Sequence, residues 1–220
     1  PYKTRQDSLS RYPATTKYYS DFTVKWATLE WEKKQAYDLR KRVFCHEQDI
    51  FSDTDLDEID AHAQVLVAIA NHGGWHERVV GTVRIHEEEI NLWVGSRLAV
   101  EYEFRHQVGL GSELIRLAVS SAHAMGCKLF LAQVQKQNEK LFQRLNWESC
   151  HELMVRKKPH VMMKADLNAY PPCYQPNSGF VLKNLRQQSV LELPSPLLHI
   201  YDQRVGKALM HSRNSTHATF

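Results

Sequence analysis

The chain has 220 residues, 43% apolar and 24% charged, which is the make-up of a soluble globular protein and enough for one medium domain with an extension. Its net charge of +3, from 28 basic and 25 acidic residues, is too small for the clustered basic face that nucleic acid requires. The longest apolar runs, Val65 to Ala70 and Val79 to Val83, are strand-sized and far short of the roughly 20 residues of a membrane helix. With no apolar h-region in Pro1-Tyr-Lys-Thr-Arg-Gln-Asp7, a cytoplasmic protein with no membrane or nucleic-acid partner is expected.

Residues 1–20 are polar and aperiodic and read as a tail. Phe22-Thr-Val-Lys-Trp26 alternates as a strand does. Thr28 is a candidate N-cap for a helix with Glu30 and Glu32 in its first turn and Arg40-Lys-Arg42 near its end, an order that suits the helix dipole. The acidic run Asp53 to Asp60 reads as a solvated loop or short helix. Val65 to Ala70, the turn Asn71-His-Gly-Gly74 and Val79 to Ile85 form a hairpin, and Leu92 to Val100 is the next strand. On that pairing Arg84 falls roughly opposite Trp93.

A glycine-containing turn, Arg105 to Gly111, then runs into a helix marked by Leu114, Leu117, Ala118, Ser121, Ala122 and Met125, with Gly126 as its stop. Leu129 to Val134 is a strand, Asn138 to Leu145 a short helix, and Glu152 to Arg156 with His160 to Ala165 a closing antiparallel pair. Strand, helix, strand implies one parallel junction in a mostly antiparallel sheet, so the fold class is α/β. Pro171-Pro172 closes the domain, leaving residues 168–220 as a loosely ordered or partner-contacting extension. All of the net charge lies there, in Lys183, Arg186, Arg204, Lys207 and Arg213 against Glu192 and Asp202. Cys45, Cys127, Cys150 and Cys173 form no C-x-x-C pair. The Cys45-His46 and Cys150-His151 neighbours point apart, so no metal site is expected.

The informative stretch is Leu98-Ala-Val-Glu-Tyr-Glu-Phe-Arg-His-Gln-Val-Gly-Leu-Gly-Ser112. Alone, Gly109-x-Gly111 is a tight turn. After a strand and directly before a strong helix, it leaves backbone N–H groups facing outward, and with the helix dipole they suit a pyrophosphate. This stretch resembles motif A of the GNAT acetyltransferases, Q/R-x-x-G-x-G/A after a strand. Arg42-Val-Phe-Cys-x-Glu-Gln48, Val80-Gly-Thr-Val-Arg84, Ser96-Arg-Leu-Ala-Val100 and Leu141-Phe-x-Arg-Leu-x-Trp147 agree with it. Gly111 to Val119 and Ser121 to Ala124 are similar to a bacterial subfamily that accompanies nitrilase gene clusters, described as nitrogen-starvation N-acetyltransferases. The likeness covers most of residues 21–167.

The resemblance implies a GNAT fold, a mixed and mostly antiparallel sheet with one splayed parallel pair, flanked by helices. It implies acetyl-CoA as cofactor. Leu98, Ala99 and Val100 would line the pantetheine, with backbone groups of Leu98 and Val100 facing it. Arg105, His106, Gln107, Val108, Gly109, Leu110, Gly111 and Ser112 would cradle the pyrophosphate, and Asn138 and Phe142 would lie near the thioester. Three residues rather than two separate Arg105 from Gly109, and Phe142 stands where many members carry a tyrosine that protonates the leaving thiolate.

Freeing the lone pair of an alkyl amine at pH 7 costs about 4.6 kcal/mol, which a positioned carboxylate can supply. Glu47, at the end of the first helix, is the candidate base, against the reading of a helix-end carboxylate bonded to backbone; Glu103 and His106 are alternatives by their nearness to the cofactor loop. Arg84 could bind an acceptor carboxylate or serve in a structural salt bridge. The leading function is acetyl transfer from acetyl-CoA to a small-molecule amine in a ternary complex, with a homodimer allowed. A non-catalytic acyl-CoA-binding module and an acyl-homoserine-lactone-synthase-like enzyme are the rivals.

Overall fold

The apolar runs and helical periodicities assemble into one sheet with a helical layer on each face. The computed structural model describes residues 19–105 and 108–184. Residues 1–18, His106, Gln107 and 185–220 lie outside them, which removes most of the expected tail, part of the cradle and much of the extension. The strands are β1 (Asp21–Trp26), β2 (Gln64–His72), β3 (Trp75–Glu89), β4 (Leu92–Val100), β5 (Leu129–Gln135), β6 (Trp147–Val155), β7 (Lys158–Ala165) and β8 (Phe180–Lys183). Their order is β6-β7-β5-β4-β3-β2-β1-β8, so β7 inserts between β5 and β6. Among the described strands only β4 and β5 pair in parallel. A parallel pair needs a crossover, supplied here by helix α2 (Leu110–Ala124).

Side-chain alternation divides the core. Leu66, Ala68 and Ala70 of β2 join the layer under α2, while Val65, Val67 and Ile69 join the layer under helix α1 (Glu30–Lys41). A strand covered on both faces reads as an unbroken apolar run, which is why Val65 to Ala70 lacks a polar face. Each fully buried side chain of this size contributes about 1.5–3 kcal/mol.

Helix α1 starts one residue later than Thr28 suggests. The cap is the carboxylate of Glu32, which accepts from the backbone amides of Thr28 at 2.7 Å and Leu29 at 3.0 Å and from Lys25 Nζ at 2.7 Å. Burial alone would raise the Glu32 pKa, but Lys25 and the two amides hold it below the ordinary value. Beyond Lys41 the helix widens into a π-helical turn, Arg42–Glu47, closed by Gln48 N donating to Val43 O at 2.9 Å. Such turns re-aim the side chains that follow, and here they aim Glu47 and Gln48 over the sheet.

The described residues beyond Leu167 are not loose. Tyr170 is buried; its hydroxyl donates to Leu145 O and accepts from Trp147 Nε1 at 3.0 Å. Cys173 N donates to Ser120 O, and Trp26 N donates to Pro176 O, both at 2.9 Å. Strand β8 then pairs antiparallel with β1. Gly179 permits this approach, because a Cβ there would lie 1.9 Å from Val24 O. The packed structure therefore continues past residue 167 through the last described residue, Asn184. Among the described residues no helix is long and apolar enough to cross a membrane.

Candidate active site

Strands β4 and β5 pair only from Leu92 to Gly95 with Leu129 to Ala132. Beyond Gly95 they diverge, so the edge of Ser96–Val100 that faces β5 has no strand partner. At the divergence β4 carries a bulge, since Thr82 opposes Ala99 while Arg84 opposes Ser96. Arg97 in the bulge has φ +56°, a conformation that costs an L-residue about 1–2 kcal/mol. Backbone strain of this kind collects at ligand sites.

A cavity of about 550 Å³ fills the divergence. On the α2 face it is lined by Leu98, Ile115, Val119, Asn138 and Phe142; on the α1 face by Phe44, Phe51, Arg84, Arg97 and His160. The Phe142 ring is buried edge-on against Trp147, with centroids 5.1 Å apart. Two ties cross the mouth on the α1 face. Gln48 accepts from Gln135 Nε2 at 2.9 Å and, through its carbonyl, from Lys158 Nζ at 2.6 Å. The Phe51 ring lies between two guanidinium groups, Arg97 at 4.7 Å and Arg156 at 4.2 Å.

The α2 end is built from backbone. Gly109, with φ +70°, is the N-cap of α2, and Glu113 N is the first amide to bond back, to Gly109 O at 3.1 Å. The amides of Leu110, Gly111 and Ser112 thus precede the helical ladder and lie at the positive end of its dipole. Among the described residues, a Cβ on Gly109 would meet nothing within 4 Å and one on Gly111 only Val100 Cγ2 at 3.8 Å, so none of them fills the space in front of this helix. Leu98 and Val100 lean on the α2-side core while Ala99 is buried on the opposite face.

The arginines and acids fall out differently from expectation. Arg105 does not join the helix entry: its Nε donates to Val100 O at 2.8 Å, and its guanidinium makes a two-point pair with Glu47, Nη2 to Oε2 at 2.6 Å. Arg105 thereby pulls the Glu47 pKa down, which makes Glu47 a poorer base. Arg84 opposes Ser96, not Trp93, because β3 runs on to Glu89 and it is Glu87 that opposes Trp93. Arg84 is buried and committed to Asp57 at 3.1 Å, Asp60 at 2.9 Å and Ser96 Oγ at 3.0 Å.

The acidic run is therefore no solvated loop. Asp55 and Asp60 clamp Arg40 at 2.7 and 2.6 Å, and Asp55 and Asp57 clamp Arg97 at 3.1 and 3.0 Å. Burial alone would raise the pKa values of Asp57 and Asp60. Arg84 holds Asp57 down, and Arg40 with the Asp57 amide holds Asp60 well below the carboxylate range. Three arginines thus neutralise three aspartates.

With this geometry in view the sequence comparison is decisive: residues 23–147 match the Acetyltransferase (GNAT) family. The chain belongs to the GNAT family. No curated protein matches it. Among solved structures it is similar to a Lactobacillus plantarum protein designated an N-acetyltransferase, with TM-score 0.59 and 18% identity over 66% of this chain and 98% of that one. It is also similar to an acyl-CoA N-acyltransferase from Pseudomonas aeruginosa, with TM-score 0.54 and 19% identity over the same shares. The AHL synthase LasI follows, with TM-score 0.51 and 17% identity over 68% of this chain and 91% of that one. At these identities the likeness is one of fold.

The GNAT fold that the resemblance implied is the fold observed, and the family's acyl donor is acetyl-CoA. The chain's own features fit that donor: an unpaired edge on β4, a cavity between the diverging strands, and open space before exposed amides. Sequence reasoning missed Phe51, Arg97, Arg156 and His160. Phe51 and Arg156 carry no motif, Arg97 lies within the Ser96–Val100 stretch but had no role of its own, and His160 is one of twelve histidines.

Proposed function

We propose that the protein is an N-acetyltransferase that moves the acetyl group of acetyl-CoA to the amine of a small molecule by direct attack in a ternary complex. The observation that carries this reading is the cavity lined from both faces of the sheet. Acetyl-CoA supplies the activated acetyl group as a thioester. The pyrophosphate lies before Gly109–Ser112, the pantetheine lies along the free edge of Leu98–Val100, and Asn138 and Phe142 flank its far end. The acceptor enters from the side of Phe51 and Arg97, where the ties through Gln48 limit its size.

Direct attack is favoured because no cysteine lines the cavity. Cys45 and Cys127 are buried, and burial pushes the Cys127 thiol up to about 11, which leaves it a poor nucleophile. The likeness of Gly111 to Ala124 to the nitrogen-starvation subfamily supports a role in bacterial nitrogen metabolism, in the cytoplasm.

Isothermal titration with acetyl-CoA tests the reading. Binding in the micromolar range is expected, weakened at least ~100-fold by Gly111→Glu, which sets a negative charge where the phosphates sit. A Cβ at Gly111 meets, among the described residues, only Val100 at 3.8 Å, and an unchanged circular dichroism spectrum of the variant assigns its loss to the ligand. Absence of binding at millimolar acetyl-CoA overturns the reading. Binding without turnover of any amine leaves the non-catalytic module.

A further inference from the structure

We infer that His160 is the general base that deprotonates the acceptor amine, an inference that rests on the transferase reading and gives it its missing proton acceptor. His160 lies on β7 opposite Gln135 of β5, three residues beyond Ala132, the last β5 residue to pair with β4. Its neighbours Val161 and Met163 point into the α2-side core. By alternation His160 faces the other side, where it lines the cavity and is 8% exposed.

The tautomer follows from one contact. His160 Nδ1 lies 2.9 Å from Lys158 O. A carbonyl oxygen only accepts, so Nδ1 carries the proton and Nε2 keeps its lone pair. Among the described residues Nε2 has no hydrogen-bond partner. The ring is held by its own strand, with its basic nitrogen left for a ligand.

The other titratable groups near the cavity are either paired or sealed from solvent. Glu47 is paired with Arg105. Asp57 is shared between Arg84 and Arg97. Glu88 accepts from His86 Nε2 at 2.7 Å, which leaves His86 Nδ1 as the basic atom, and that atom is buried without a partner. Arg156 and Lys158 of the β6–β7 turn bring positive charge to the mouth; Lys158 is tied to Gln48 O and Arg156 to the Phe51 ring.

In the step assigned to His160, an N–H bond of the alkylammonium breaks, its electron pair stays on nitrogen, and the proton moves to Nε2. The freed pair forms the bond to the acetyl carbon. The carbon–sulfur bond breaks with its electrons on sulfur, and the second amine proton lost from nitrogen goes to that thiolate. One amide, one thiol and one proton, released to solvent from His160, balance the alkylammonium and the thioester.

The test compares two small acceptors, ethanolamine, which is protonated at neutral pH, and hydroxylamine, which is largely not. His160→Gln is expected to lower kcat for ethanolamine by at least ~100-fold, within the usual range for a general base, with hydroxylamine transfer and acetyl-CoA binding little changed. Equal losses for both acceptors, or no loss for either, overturn the assignment and leave the transferase reading intact. A wild-type protein that binds acetyl-CoA and acetylates neither of these amines nor any other in a broad amine panel overturns both. Independently of turnover, ¹⁵N-histidine NMR of the wild type should find His160 protonated at Nδ1 and bare at Nε2; the opposite tautomer refutes the proposal.

Discussion

The two sides of the cavity are made of different materials. On the α1 face Arg40, Arg84 and Arg97 are matched by Asp55, Asp57 and Asp60, and little of that charge is left for a ligand. On the α2 face the helix entry offers backbone amides that the helix cannot satisfy, behind two glycines that leave room. The difference separates charge that is matched within the fold from polarity that the helix leaves unpaired. A run of aspartates looks functional in a sequence, yet it is the uncharged Gly109-Leu-Gly111 turn that is open.

The sharpest way to break the comparison is to open the matched side. Arg40 is 1% exposed and carries Asp55 and Asp60. Its pKa is raised: burial would lower it, and the two aspartates outweigh that. Arg40→Met leaves two buried carboxylates short of a partner, and the expected loss is about 3–5 kcal/mol of unfolding free energy in urea. A loss under ~1 kcal/mol would mean that the cluster is dispensable to the fold and that its arginines are available to an acceptor.

The second measurement follows stability with pH. Asp57, Asp60 and Glu32 all have folded pKa values below their ordinary ones. Between the folded and unfolded values the unfolded chain binds more protons, so unfolding free energy rises with pH there. The contribution is complete above about pH 5, beyond the unfolded carboxylate values of ~3.9 and ~4.3, and is lost as pH falls toward the folded values. Urea unfolding should therefore be flat from pH 7 to about 5 and decline below it. In Arg40→Met the decline should be shallower. A wild-type profile flat to pH 3 would show that these carboxylates are not held as described.

What the sequence disclosed and what it withheld divide by range. The α2 periodicity, the unbroken Val65 to Ala70 run and the strand–glycine–helix junction are local, and they led to the fold and to Gly109–Ser112. The partners of Asp53 to Asp60 are not local: Arg40 lies 15 residues before Asp55, and Arg97 lies 42 after it. The Arg84 register was misjudged because the strand pattern ends at Ile85, while the acidic residues Glu87 to Glu89 continue β3 and bring Trp93 opposite Glu87. The Arg97 bulge beyond it was not signalled, since its positive φ favours glycine. Gly179 sits in a polar stretch that reads as linker, and only the approach of Val24 O explains it. His160 owes its place to the insertion of β7 between β5 and β6, a pairing that no spacing in the chain encodes.

The smallest expected effect sharpens the comparison most, because it concerns a charge pair at the cavity that belongs to neither kind. Glu47 and Arg105 face each other in two-point geometry, but their side chains are 40% and 26% exposed, so water screens the pair. Glu47→Gln should cost under about 1 kcal/mol of stability. If Arg105 has already taken up the carboxylate, kcat with ethanolamine should fall less than about fivefold, the kinetic equivalent of that energy. Removal of a true base would lower it by at least ~100-fold. A loss of that size in Glu47→Gln, selective for ethanolamine over hydroxylamine, would return the proton to Glu47. The Arg105 contact would then be a resting arrangement that the acceptor displaces, and His160 would lose the role assigned to it.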